Sequence, residues 1–274
     1  MLKTRVLTAL VLLAGFLSAL FLLPRSGWIA FCALFVGLSA WEWGALAALA
    51  AVGRLIYSAF LVGVFVLLGF HEASVTNSSY GPAWAYYAAG LFWIALVPMW
   101  IWRQPRFGSR AVLLAAGATV LPPAAAALVD LRGDHPSLLL ATLATVWISD
   151  TAAYFVGRRF GKRKLAPSIS PGKTWEGVAG ALAAVGLYAL AWLYLGLGRS
   201  GGWPGGARAA AAWIFPVLLG LAVVGMIGDL FESLIKRQAG VKDSGTFLPG
   251  HGGILDRIDA PMAMLPLAVL VFMR

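Results

Sequence analysis

The sequence predicts an all-α membrane protein, a polytopic helical bundle with about nine transmembrane helices. Composition is the first reason. Of 274 residues, 61% are hydrophobic and only 12% charged, with a mean hydropathy of +0.84, whereas soluble domains run nearer a quarter charged. Such a chain cannot hide its apolar surface in one aqueous core. The second reason is that apolar stretches near the roughly 20 residues needed to span recur from end to end. The third is that Lys and Arg are concentrated on one of the two sides these stretches define.

In order, the candidate spans are 6–23, 28–49, 55–70, 83–102, 111–129, 138–156, 178–197, 209–235 and 258–273. The first follows Lys3 and Arg5 like a signal peptide, but its apolar run is longer than such segments carry, so an uncleaved anchor is expected. The third is short. The fifth contains Pro122 and Pro123, which should kink it or make it re-entrant. Alternation over nine spans puts sixteen of the 21 basic residues on one face and five on the other. The richer face is predicted to be cytoplasmic. It carries two long loops, 157–177 and 236–257, with ten of the sixteen. The organisation expected is therefore residues 1–136 as scaffold helices with a substrate cavity and 137–274 as helices with the catalytic loops.

Several function classes are disfavoured. The single cysteine, Cys32, allows no intrachain disulfide, and with only His71, His135 and His251 a zinc site is not expected. A net charge of +10 would suit nucleic acid, but the basic residues sit in membrane-flanking loops. Lipid headgroups and nucleotide phosphates suit that placement better.

Acidic residues inside spans cost about 2.5–3.5 kcal/mol at a helix centre on insertion scales, so they mark candidate sites. Asp150 lies in the sixth span, with Tyr154 and Arg158 following at i+4 and i+8 on one stripe. In the eighth, Asp229, Glu232, Ser233 and Lys236 share a face that must look into the bundle. The ninth opens with Asp256, Arg257 and Asp259. Three stripes thus bring carboxylates and bases to one interface. A divalent cation held by carboxylates, with Lys and Arg left for phosphate oxygens, is one solution; mutual neutralisation in structural ion pairs is the other. Glu42, between Trp41 and Trp43, reads as an interfacial anchor.

The loop before the last span holds Gly240, Gly245, Gly250, Gly252, Gly253 and Pro249, which forbid a regular helix. Glycines let backbone N–H groups approach anionic oxygens. Here they are bracketed by Lys236, Arg237, Lys242, Asp243, His251, Asp256 and Arg257.

The run from Ser233 to Asp259 resembles the signature of the phosphatidate cytidylyltransferase (CDP-diglyceride synthase) family. The resemblance rests on Ser233, Lys236, Arg237, Lys242, Asp243, Gly245, Leu248, Pro249, His251, Gly252, Gly253, Asp256, Arg257 and Asp259. The segments 149–161, 170–177 and 228–233 resemble that family too, and the likeness is slight before Ser149. It implies attack of phosphatidic acid on the α-phosphorus of CTP, with Mg²⁺ as cofactor, at the cytoplasmic face of a bacterial inner membrane. Convergence of the helices and the resemblance together favour Asp229 and Asp256 as metal ligands, with Asp150, Asp243 and Asp259 as second choices. Lys173, Lys236, Arg237, Lys242 and Arg257 are candidates for the substrate phosphates, and His251, Gly252 and Gly253 for the loop that meets them. A homodimer is a further implication; nucleic acid is not an expected partner. A CTP-dependent polyprenol or phytol kinase resembles this pattern more loosely. An ion-coupled transporter would also use intramembrane carboxylates, but no paired halves are visible.

Overall fold

The computed structural model describes residues 2–73, 80–104, 109–133, 136–195, 206–248, 250 and 252–273. Helices α1 (Leu2–Leu22), α2 (Arg25–Leu46) and α3 (Ala51–Ala73) make the first three spans. The fourth is α4 (Ala83–Leu91), a π-helical turn (Phe92–Leu96) and α5 (Val97–Arg103) run together. Then come α6 (Arg110–Arg132), α7 (Pro136–Phe160), α8 (Trp175–Leu195), α9 (Gly206–Gln238) and α10 (Leu255–Phe272). Each matches one predicted stretch. Seven are long and apolar enough to cross a membrane by length and composition. Of the other two, α1 offers the shorter apolar run Thr8–Leu22, and α10 carries Asp256, Arg257 and Asp259 among its first five residues. The chain is an all-α integral membrane protein.

Three expectations are corrected. The third span is of full length, because α3 starts at Ala51 rather than Leu55. The fifth is neither broken nor re-entrant: α6 runs as one helix through Pro122 and Pro123, which are buried. Prolines withdraw N–H donors, and the loss is tolerated where the helix lies in protein rather than lipid. The stretch 157–177 is not loop throughout. There α7 continues to Phe160, and β1 (Lys164–Ala166) pairs antiparallel with β2 (Ser170–Thr174), Lys164 opposite Thr174.

A single large apolar cluster runs from Ala19 to Val269 and draws on both halves of the chain. At its middle α2 and α6 lie antiparallel. The Trp43 indole donates to the Leu113 carbonyl at 2.8 Å and the Trp28 indole to that of Leu128 at 3.2 Å. Helices α9 and α10 approach so closely at Gly228 that an added Cβ would stand 2.5 Å from the Asp259 carbonyl oxygen. That contact sets the acidic stripes of the two helices side by side. The β-hairpin docks on α9 through Ile169, Leu230 and Leu234. Glu176 in the first turn of α8 holds the hairpin's base by accepting the N–H groups of Lys162 at 3.0 Å and Arg163 at 3.2 Å.

Candidate active site

At one end of the bundle, α7, the hairpin, the start of α8, the end of α9 and the start of α10 enclose a cavity of about 740 Å³. Asp150, Tyr154 and Arg158 of α7 line it, as do Asp229 of α9 and Asp256, Arg257 and Asp259 of α10. The three stripes read from the sequence therefore open into one space. The hairpin contributes Lys164 and Lys173, so the basic loop folds over the carboxylates.

Each carboxylate pairs in its own way. Lys173 Nζ lies 2.7 Å from Asp229 Oδ2, and Ser233 Oγ donates to Asp229 Oδ1 at 3.3 Å. Lys236 bridges two acids, reaching Glu232 Oε2 and Asp256 Oδ1 at 2.5 Å each. The other oxygen of Asp256, Oδ2, accepts the backbone N–H groups of Ser244 at 3.0 Å and Gly253 at 2.8 Å. Gly252, at φ +81°, turns the chain around this carboxylate, and a Cβ there would stand 2.6 Å from Oδ2. Asp259 Oδ1 accepts the N–H of Ala260 at 2.9 Å.

Glu42 is the residue that sequence reading misjudged. It is no interfacial anchor: it is 2% exposed, at the same end of the bundle. Its carboxylate accepts Ser244 Oγ at 3.0 Å, the Ile254 N–H at 3.0 Å and the Leu255 N–H at 2.8 Å. Gly245 and Gly253 leave room for it, since a Cβ at either would fall within 2.5 Å of Glu42 Oε1. A helix from the first quarter of the chain thus fixes the loop that wraps Asp256. An acid in an apolar span was the signal available; its flanking tryptophans masked it.

Other candidates lie elsewhere. Arg237 is exposed and ties the hairpin to the end of α9, donating to the carbonyls of Ile169 at 3.4 Å and Val241 at 3.1 Å. Lys242 and Asp243 are exposed on the loop and are not among the residues lining the cavity. His251 and Pro249 lie outside the described residues.

Among the described residues, no three Asp, Glu, His or Cys side chains converge closely enough to hold a metal ion unaided. The donor set still suits Mg²⁺, which is commonly held by one or two carboxylates together with substrate phosphates. Asp229 and Asp256 offer hard oxygens on one cavity wall, each now paired with a lysine ammonium.

Carboxylates, lysines and arginines are thus gathered in one cavity at the end of a helical membrane bundle. Comparison with known proteins makes the class specific. Residues 3–273 match the model described as "Cytidylyltransferase family". The phosphatidate cytidylyltransferase of Pseudomonas aeruginosa is 41% identical, over 97% of this chain and 95% of that protein. Those of Haemophilus influenzae and Brucella suis are 35% and 37% identical, over 97% and 98% of this chain and 96% and 92% of theirs. The chain belongs to the cytidylyltransferase family.

Proposed function

We propose that this protein is a phosphatidate cytidylyltransferase, converting CTP and phosphatidic acid into CDP-diacylglycerol and pyrophosphate in an Mg²⁺-dependent step of phospholipid synthesis. The observation that carries the reading is the shared cavity of Asp150, Asp229, Asp256 and Asp259 with Lys173 and Arg257, at one end of a membrane bundle. A phosphate oxygen of phosphatidic acid bonds to the α-phosphorus of CTP, and the bond from that phosphorus to the oxygen bridging to the β-phosphorus breaks. Pyrophosphate leaves with the electron pair. The nucleophile is already anionic, so no strong base is needed. The task is to bring two polyanions together and to stabilise charge at the in-line centre.

Lys173 of the hairpin and Arg257 of α10, which both line the cavity, meet phosphate oxygens. Lys236 holds Asp256 in place until substrate arrives, while the N–H groups of Ser244 and Gly253 keep the far oxygen of Asp256 fixed. Mg²⁺ on Asp229 and Asp256 would neutralise phosphate charge when bound. The sixteen-to-five distribution of basic residues favours a cytoplasmic site, where CTP is available, and the bacterial relatives favour an inner membrane.

Purified protein incubated with α-labelled CTP and phosphatidic acid, with and without Mg²⁺, tests this. Label should enter lipid only when both phosphatidic acid and Mg²⁺ are present. Labelled CDP with a phosphorylated alcohol would instead mark a CTP-dependent lipid kinase.

A further inference from the structure

A second cavity lies on the other side of the first turn of α10, walled by α1, α2, α6, α7 and α10. Its lining is apolar apart from Cys32, Ser39 and Arg257. Arg257 lines both this cavity and the polar one, so the two adjoin at that residue. The wall contributed by α10 extends from Arg257 to Leu265, about 12 Å at 1.5 Å per residue. That of α2 extends from Ser39 to Phe31, also about 12 Å, and that of α6 from Leu121 to Leu128, about 10 Å. Because α2 and α6 are antiparallel, Ser39 and Leu121 stand nearer the Arg257 end, and Phe31 and Leu128 nearer the opposite end of the bundle. The space is therefore a channel directed along the helices, polar at its mouth and oily along its length. One polar group in its wall is unused: Ser39 Oγ is buried, on a residue 1% exposed, and has no hydrogen-bond partner.

We propose that this channel holds one acyl chain of the phosphatidic acid substrate. The Ser39 hydroxyl donates to an ester carbonyl at its mouth, and Arg257 takes the phosphate across into the polar cavity. This rests on the catalytic reading above and adds to it where the lipid lies. A buried hydroxyl without a partner is destabilising, and an ester oxygen beside it relieves the cost. A phosphomonoester lipid is the occupant with an anion for Arg257, an acceptor for Ser39 and a chain for the channel in the required order.

The test compares dioleoyl with dihexanoyl phosphatidic acid as substrates for the wild type and for Ala125→Phe, which fills the channel wall. The ratio of kcat/KM, dioleoyl over dihexanoyl, should fall at least tenfold in the variant. An unchanged ratio, with product still formed, overturns the channel while leaving the catalytic reading intact. No product from the wild type with either lipid overturns the catalytic reading itself. Should Ala125→Phe not fold, wild-type protein is photolabelled with phosphatidic acid carrying a mid-chain diazirine. Adducts should fall within 31–39, 121–128 and 258–265, and diazirine phosphatidylcholine should label these segments several-fold less. Adducts elsewhere, or equal labelling by both lipids, overturn the proposal.

Discussion

Asp130 at one end of the bundle and Asp256 at the other are both carboxylates drawn out of water, and they are held differently. Asp130 is 5% exposed and accepts the Tyr86 hydroxyl at 2.6 Å, the Gly81 N–H at 3.2 Å and the Tyr80 N–H. These three donors are neutral dipoles, two from the backbone and one from a packed ring. Asp256 receives such dipoles on one oxygen only; on the other it carries the Lys236 ammonium. Neutral donors orient a carboxylate without cancelling its charge, and they cannot leave unless the loop unfolds. An ammonium on a flexible stem can be exchanged for a metal ion or displaced by substrate. Glu42 belongs with Asp130 in chemistry but sits beside Asp256 in space. On the reading proposed above, proximity to the cavity does not by itself make a carboxylate catalytic; the kind of partner it holds separates the two roles.

The sharpest way to break this comparison is Asp256→Asn. The variant should insert and fold, yet lose CDP-lipid formation by about 10²–10³-fold, the scale of removing one preorganised charge-stabilising group. Normal turnover at saturating Mg²⁺ would place Asp256 with the structural acids. Glu42→Ala should be the next largest effect. It strands the Ser244 hydroxyl and the N–H groups of Ile254 and Leu255, at about 1–3 kcal/mol for a buried donor left unsatisfied. A thermal melt in detergent should show a clear drop in Tm, with partial loss of turnover and an unchanged Mg²⁺ requirement. A shifted Mg²⁺ dependence would move Glu42 into the metal site. Asp130→Asn should cost stability on the same scale, about 1–3 kcal/mol, while turnover per folded molecule stays at the wild-type value. Lost turnover in folded protein would show that the far end couples to the site. Smallest is Lys173→Gln, expected to raise the KM for CTP about tenfold, or about 1.4 kcal/mol, with little effect on Tm; initial-rate kinetics decide it.

Much of the site was legible because charge inside an apolar span is conspicuous. Asp150, Asp229, Asp256 and Asp259 stand out against their neighbours, and helical spacing puts each on a definite stripe. The acids that Glu42 and Asp130 contribute were as conspicuous in principle, but their partners lie far away in the chain. Glu42 meets Leu255 across 213 positions and Asp130 meets Tyr86 across 44. No local pattern announces such a partner. The hairpin over 164–174 escaped notice for a related reason: its strands are three and five residues long, too short for an alternation to register.

By itself the sequence determined that this is a helical membrane protein, where its apolar helices fall, and that its intramembrane acids and bases are densest between Asp150 and Asp259. Those features are written locally, in hydropathy, in helical period and in the energetic cost of placing a charge in hydrocarbon. Only the tertiary structure decided which carboxylates take a lysine and which take backbone amides, that α2 fixes the loop around Asp256, and that Arg257 joins a polar cavity to an apolar channel. Each of these depends on helices distant in sequence coming within hydrogen-bonding reach. Helix packing sets that distance, and no single helix encodes it.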